Sequence, residues 1–214
     1  MTKMLQAAAF AAAIALAGAA HADTVIFFDN FNANAAGISP PGPGPSLVPT
    51  GWLVSGGGVD ILGDGFLVNP LPGSGKYIDL GAEQMVPGYL HRDFSLEAGM
   101  TYVASFDLAG NQRYQSAGGA ATQDAVRVNF GSTTGVYSLP KTTPWTSYSL
   151  SFTPETSGFY RLGFQHSDIQ EYAIGMLLDN VVITAVPEPE SWALMLAGLG
   201  LLVASGRRRL SRMS

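Results

Sequence analysis

The feature that most restricts the fold is a two-residue alternation of apolar and polar side chains that recurs along the middle of the chain. Tyr102, Ala104, Phe106 and Leu108 fall on one side of an extended segment, and Ser105 and Asp107 fall on the other. Val126, Val128 and Phe130 alternate with Arg127 and Asn129. Tyr148, Leu150 and Phe152 alternate with Ser147, Ser149 and Ser151, and Tyr160, Leu162 and Phe164 with Arg161 and Gly163. Successive side chains on a strand point to opposite faces, so each pattern marks a strand with one buried and one wet face. Wet-faced strands belong to antiparallel sheets. Further strands are expected at residues 25–28, 51–54, 59–62, 77–80, 89–94 and 176–184. About ten strands parted by Gly, Pro, Ser and Asn turns imply an all-β chain folded as a single antiparallel β-sandwich or jelly roll. No stretch has the period of a long amphipathic helix, and no internal repeat suggests a propeller or solenoid. The Pro-Gly run at 40–45 cannot join a sheet, because proline lacks the donor, and it reads as an exposed loop, as does the Ala-Gly segment 117–121.

Composition narrows the chemistry. The 214 residues include no cysteine, which excludes a disulfide scaffold, a zinc ribbon and a thiol nucleophile. Only 13% are charged, against about a quarter in ordinary soluble proteins. The formal net charge of −5 gives no basic footprint for nucleic acid.

Much of the apolar content lies at the two ends, which read as addresses. Lys3, the Ala-rich run 7–17 and Ala20-His21-Ala22 are the charged, hydrophobic and cleavage regions of a secretory signal peptide, predicted to span 1–22 and to be cut before Asp23. At the other end, Pro187-Glu188-Pro189 precedes an apolar stretch, 192–204, and then Arg207-Arg208-Arg209. Thirteen helical residues rise about 20 Å, short of a hydrocarbon core about 30 Å thick. They would span only by thinning the bilayer and letting the arginines snorkel. The arginines would stay in the cytoplasm and leave residues 23–186 outside, the orientation the signal peptide also gives.

Pro187-Glu188-Pro189, the short apolar helix with Gly198-Leu199-Gly200 and the Arg207-Arg208-Arg209 cluster resemble the PEP-CTERM sorting signal of Gram-negative bacteria, here 187–210 with a tail at 211–214. The resemblance implies export by the Sec machinery, transient membrane residence through the C-terminal helix of an inner-membrane-anchored precursor, and removal of the tail by an exosortase. It also implies a final place at the cell surface or in the extracellular matrix, among exopolysaccharide and biofilm. A permanent single-pass anchor is the alternative. No LPxTG motif is present for a sortase of the Gram-positive type.

The region between, 23–186, holds 14 acidic and 6 basic side chains, a net of −8. Its segments Gly51-Trp52-Leu53-Val54, Tyr77-Ile78-Asp79-Leu80-Gly81, Ser105-Phe106-Asp107-Leu108-Ala109-Gly110-Asn111 and Leu178-Asp179-Asn180-Val181 resemble the galactose-binding-like jelly rolls of choice-of-anchor exported proteins. The resemblance implies a β-sandwich associated with polysaccharide and no defined catalytic chemistry. Jelly rolls of this type hold calcium where the first and last strands meet. That places oxygen donors from Asp29, Asn30, Asp179 and Asn180 near one another, although the same residue types also cap turns.

Sugar sites pair a flat aromatic surface with planar polar side chains. Trp145, on the polar-facing parity of its strand, is one candidate. Tyr114 with Arg113 and Asn111, and Tyr172 with Glu171 and His166, are expected in loops and are the others. No GxSxG, HExxH or Walker A pattern occurs, and the adjacent His166-Ser167-Asp168 side chains do not converge as a triad would. The expected function is therefore a non-enzymatic, exported, carbohydrate-binding β-sandwich that needs no cofactor. An adhesive matrix protein acting through protein contacts is the alternative, and a secreted polysaccharide hydrolase a more distant one. The low charge of 23–186 suits a neutral polymer better than a charged one.

Overall fold

The structure is a computed structural model that describes residues 23–39, 47–63, 75–81, 88–111, 123–167, 175–186 and Gly198. Residues Thr24–Val186 form one compact unit. Its strands are β1 (Thr24–Asp29), β2 (Leu53–Ser55), β3 (Asp60–Gly63), β4 (Lys76–Asp79), β5 (Tyr89–Leu96), β6 (Thr101–Ala109), β7 (Gln123–Phe130), β8 (Thr133–Pro140), β9 (Thr146–Phe152), β10 (Gly158–His166) and β11 (Leu177–Val186). They form two antiparallel sheets. One runs β3-β4-β11-β6-β9 with β1 also on β11, and the other runs β2-β5-β10-β7-β8. The all-β sandwich expected from the alternation is the fold observed.

The apolar faces meet between the sheets. Phe106 packs edge-on against Phe164 at 5.2 Å, and Trp52 against Phe164 at 6.1 Å, so one ring of β10 ties both sheets to the β2 approach. Leu90, Leu162, Val128 and Phe130 are fully buried beside them. Burying each such side chain is worth about 1.5–3 kcal/mol.

Sheet β3-β4-β11-β6 is covered on both faces at one end. Ile61, Ile78, Leu108 and Leu178 belong to the central core, while their chain neighbours Leu62, Tyr77, Ala109 and Leu177 form a second apolar cluster on the opposite side. Alternation fails there because both faces are apolar, as it does for any strand buried on two sides.

The structure adds one strand to those expected, β8. Its inward residues are Thr133, Gly135, Tyr137 and Leu139, too mixed for the alternation to register. A two-residue hairpin supplies it: Phe130 pairs with Thr133 across Gly131 and Ser132. Gly131 has φ 55, and a side chain there would run into the Phe152 ring, so a glycine is needed for both backbone and space. Strand β11 also extends to Val186, past the expected end at 184. The segments 40–45 and 117–121, both read as loops, lie outside the described residues.

Candidate functional site

The outer face of the β5-β10-β7 layer gathers side chains that the core does not use. Leu90, Leu162, Phe164, Val126 and Val128 point inward, so the alternate residues must point out. The register arranges them in rows across the strands. Tyr89 pairs with Gln165 and Gln165 with Arg127; His91 pairs with Gly163 and Gly163 with Asn129; Asp93 pairs with Arg161.

Two devices hold this face. The Tyr89 and His91 rings stack at 4.8 Å and 16°, and His91 Nδ1 lies 3.0 Å from the Tyr89 carbonyl oxygen. The Tyr89 ring then reaches over β10 at Gly163, where a Cβ would collide with it. A glycine inside a strand often marks such a close approach. Beside the ring, Arg161 donates to Asp93 through Nε at 2.7 Å and Nη2 at 2.9 Å, a two-pronged pair. That bond holds the Asp93 carboxyl below the usual carboxylate range and raises the Arg161 guanidinium. Burial raises the Tyr89 hydroxyl, which the nearby Arg161 charge partly offsets. The result is a half-buried aromatic ring flanked by an oriented ion pair and by the amides of Gln165 and Asn129. Phe159, 80% exposed, stands on the same strand face beyond Arg161.

Of the sugar-binding candidates named from sequence, the structure describes Asn111, Trp145 and His166, and none of the three is on this face. Arg113, Tyr114, Glu171 and Tyr172 lie outside the described residues. Asn111 is fully buried: its amide donates to Asp79 Oδ2 at 2.8 Å and to the Gly175 carbonyl at 3.0 Å. Asp79 Oδ1 in turn accepts from the Gly81 and Gly175 amides, so Asn111 locks the start of β11 and is not presented to solvent. Trp145 is half-buried in the second apolar cluster, edge-on to Tyr77 at 5.6 Å, with its Nε1 buried and unbonded. It is on the wet-face parity, as expected, but it packs there. His166 faces inward, 7% exposed, 3.9 Å from buried Asp124 and too far for a hydrogen bond.

The four residues considered for calcium are largely occupied by the protein. Asp29 accepts from the Phe31 amide and from Trp52 Nε1, both at 2.8 Å. Asn30 Oδ1 accepts from the Asn32 amide at 3.3 Å. Asn180 sits in the left-handed region at φ 49, at the bulge in the β11–β6 ladder, and donates to Asp107 Oδ2 at 2.8 Å. Asp179 is buried and accepts from the Asn180 amide, leaving Oδ2 without a partner. Burial first, and then repulsion from Asp107 and Asp29, push its carboxyl up to about 7 against the Asn180 bond. A desolvated carboxyl facing two others is eased by a proton. Among the described residues no group of three or more His, Asp or Glu is placed to hold a metal.

Comparison with known proteins places two likenesses beside this geometry. The model of the PEP-CTERM protein-sorting motif matches residues 185–209, so the chain carries that motif. Among the described residues no helix is long and apolar enough to cross a membrane; the apolar stretch 192–204 lies outside them apart from Gly198. No curated protein matches the sequence. Among solved structures, the chain is similar to the CBM22-1 xylan-binding domain of Paenibacillus barcinonensis Xyn10C, at 14% identity and TM-score 0.48 over 79% of this chain and 99% of that one. It is equally similar to the CBM22-1–GH10 modules of Clostridium thermocellum xylanase 10B with xylohexaose, at 14% identity and TM-score 0.48 over 78% of this chain. The chain covers only 29% of that xylanase structure.

Proposed function

We propose that this is an exported protein, released by an exosortase at its sorting motif, that holds polysaccharide on the outer face of the β5-β10-β7 layer. The observation that carries the reading is Tyr89, stacked on His91 and fitted over Gly163, beside the Arg161–Asp93 pair. An aromatic face takes the C–H side of a sugar ring, and oriented guanidinium, carboxylate and amide groups take its hydroxyls. The side chains that surround Tyr89 suit holding rather than reaction. Asp93 is committed to Arg161, and His91 uses Nδ1 on a backbone carbonyl. The site of action is the cell surface or the extracellular matrix.

The test is binding of the purified protein to a glycan panel that includes the host's own extracellular polysaccharide. Binding is expected for the wild type and is lost in Tyr89→Ala at unchanged melting temperature. No binding to any glycan, or full binding by Tyr89→Ala, overturns the reading. For sorting, mass spectrometry is expected to find residues 192–214 missing from the mature protein and retained when the exosortase is deleted. An intact C-terminus in both strains contradicts it.

A second reading rests on β1. Val25, Ile26 and Phe28 are 44–59% exposed on a strand that, among the described residues, pairs with β11 alone, which suits an adhesive protein that adds a neighbour's strand. A register shift between Val25 and Phe27 opposes such addition, because a bulge spoils the pairing edge. Self-association at micromolar concentration without glycan would favour this reading.

A further inference from the structure

We propose that the polysaccharide held on this face is acidic, and that Arg127 is the counter-ion for its carboxylate or sulfate group. The inference rests on the carbohydrate-binding reading above and names the class of ligand.

It starts from an imbalance of charge. The domain is acidic overall, and its wet faces are built mainly from Ser, Thr and Asn. Among the described residues on the outer face of β5, β10 and β7 the balance reverses: Arg127 and Arg161 stand against Asp93. Arg161 is neutralised by its two bonds to Asp93. Arg127 is exposed in the middle of β7, and among the described residues no carboxylate pairs with it.

Its cross-strand neighbours give no reason for a cation there. On β8 the residue opposite is Val136, itself 60% exposed, and on β10 it is the neutral Gln165. A guanidinium in a chain this sparing of charge thus stands with its fork open to solvent. That fork matches a carboxylate or sulfate with two parallel hydrogen bonds.

The row supplies the remainder of the contact. Tyr89, Gln165 and Arg127 lie side by side on three adjacent strands. Strands are about 4.8 Å apart, so the row spans about 10 Å from ring to cation. A sugar ring on Tyr89 would place its neighbour's acidic group toward Arg127, with the Gln165 amide between them for a hydroxyl. The glycan therefore crosses the strands. This departs from the preference for a neutral polymer suggested by overall composition, because local charge, not the domain average, meets the ligand.

The experiment measures affinity of the purified protein, wild type and Arg127→Gln, for polygalacturonate, its carboxyl-reduced neutral form and dextran sulfate at two salt concentrations. Expected are binding to an acidic polymer that weakens with salt, at least about tenfold weaker binding by Arg127→Gln at unchanged melting temperature, and weak binding of the reduced form. Preference for polygalacturonate over dextran sulfate identifies carboxylate as the anion, and the reverse identifies sulfate. Equal binding of acidic and reduced polymers, abolished by Tyr89→Ala, keeps the sugar-binding face and overturns the charge assignment. Arg127→Gln binding like wild type also overturns it. Absence of binding to all three polymers overturns the acidic assignment, and the underlying reading falls with it only when the glycan panel, host polysaccharide included, is negative too.

Discussion

The Tyr89 ring occupies the space that a side chain at residue 163 would fill, so Gly163 decides where the ring of a different strand can lie. Gly163 sits opposite His91, and the ring that stacks on His91 is the one that crosses the glycine. Two strands thus cooperate to fix one aromatic surface.

Gly163→Ala should lift the ring off the sheet. The nearest atoms are the far end of the tyrosine side chain, which can swing away, so the stability cost should be small, about 1 kcal/mol. Glycan affinity should fall while the fold persists. Thermal melting and a binding isotherm on the same variant check this, and a large loss of stability at unchanged affinity would refute it.

Asp93→Asn should cost little stability, about 1 kcal/mol or less, because both partners of the pair are exposed by 40% or more. It leaves Arg161 as a second unpaired guanidinium on the face, so an acidic glycan should bind more tightly, by a margin that shrinks as salt rises. Urea unfolding at low and high salt measures the first part.

Asp179 gives the fold a pH dependence whose sign is fixed. Its carboxyl rises from 3.8 unfolded to about 7 folded, so the folded protein binds the proton more tightly. Its favourable contribution is complete below about pH 4 and is lost as pH climbs through 7. The loss should be on the order of 4 kcal/mol by pH 8. Asp179→Asn should flatten the profile and be more stable than wild type at pH 8. A wild-type melting temperature that rises between pH 5 and 8, with Asp179→Asn following it in parallel, would contradict the assignment.

Trp52→Phe keeps most of the packing against Phe27, Phe31 and Phe164 but removes the donor to Asp29 Oδ2. Losing a partner of a part-buried carboxylate costs about 1–3 kcal/mol. Denaturant unfolding should show that loss with an unchanged m-value.

The sandwich was legible because each long strand has one apolar face, and Tyr102-to-Leu108 or Tyr160-to-Phe164 announces it without help from neighbours. β8 escaped because Gly135 and Thr133 take inward positions where Tyr137 and Leu139 alone carry the pattern. The candidate site was less accessible, for a spatial reason. Residue type alone points to aromatics in loops, of which Tyr114 and Tyr172 lie outside the described residues, whereas the fit of Tyr89 on its wet face depends on a glycine of another strand. A signal did exist: Tyr89, His91 and Asp93 share a parity, and Gly163 interrupts the wet parity of β10 between Arg161 and Gln165. Only the register shows that the two coincide. Asn111 and Trp145 show the converse, polar and aromatic residues whose types suit a sugar but whose places serve packing.

Amide chemical shifts of the protein, titrated with a glycan it binds, test whether the outer face of β5-β10-β7 holds polysaccharide. Saturating shifts are expected at Tyr89, His91, Arg161, Gln165 and Arg127, with the outer face of the β11-β6-β9 sheet silent. Shifts confined to that other sheet or to β1 would contradict it.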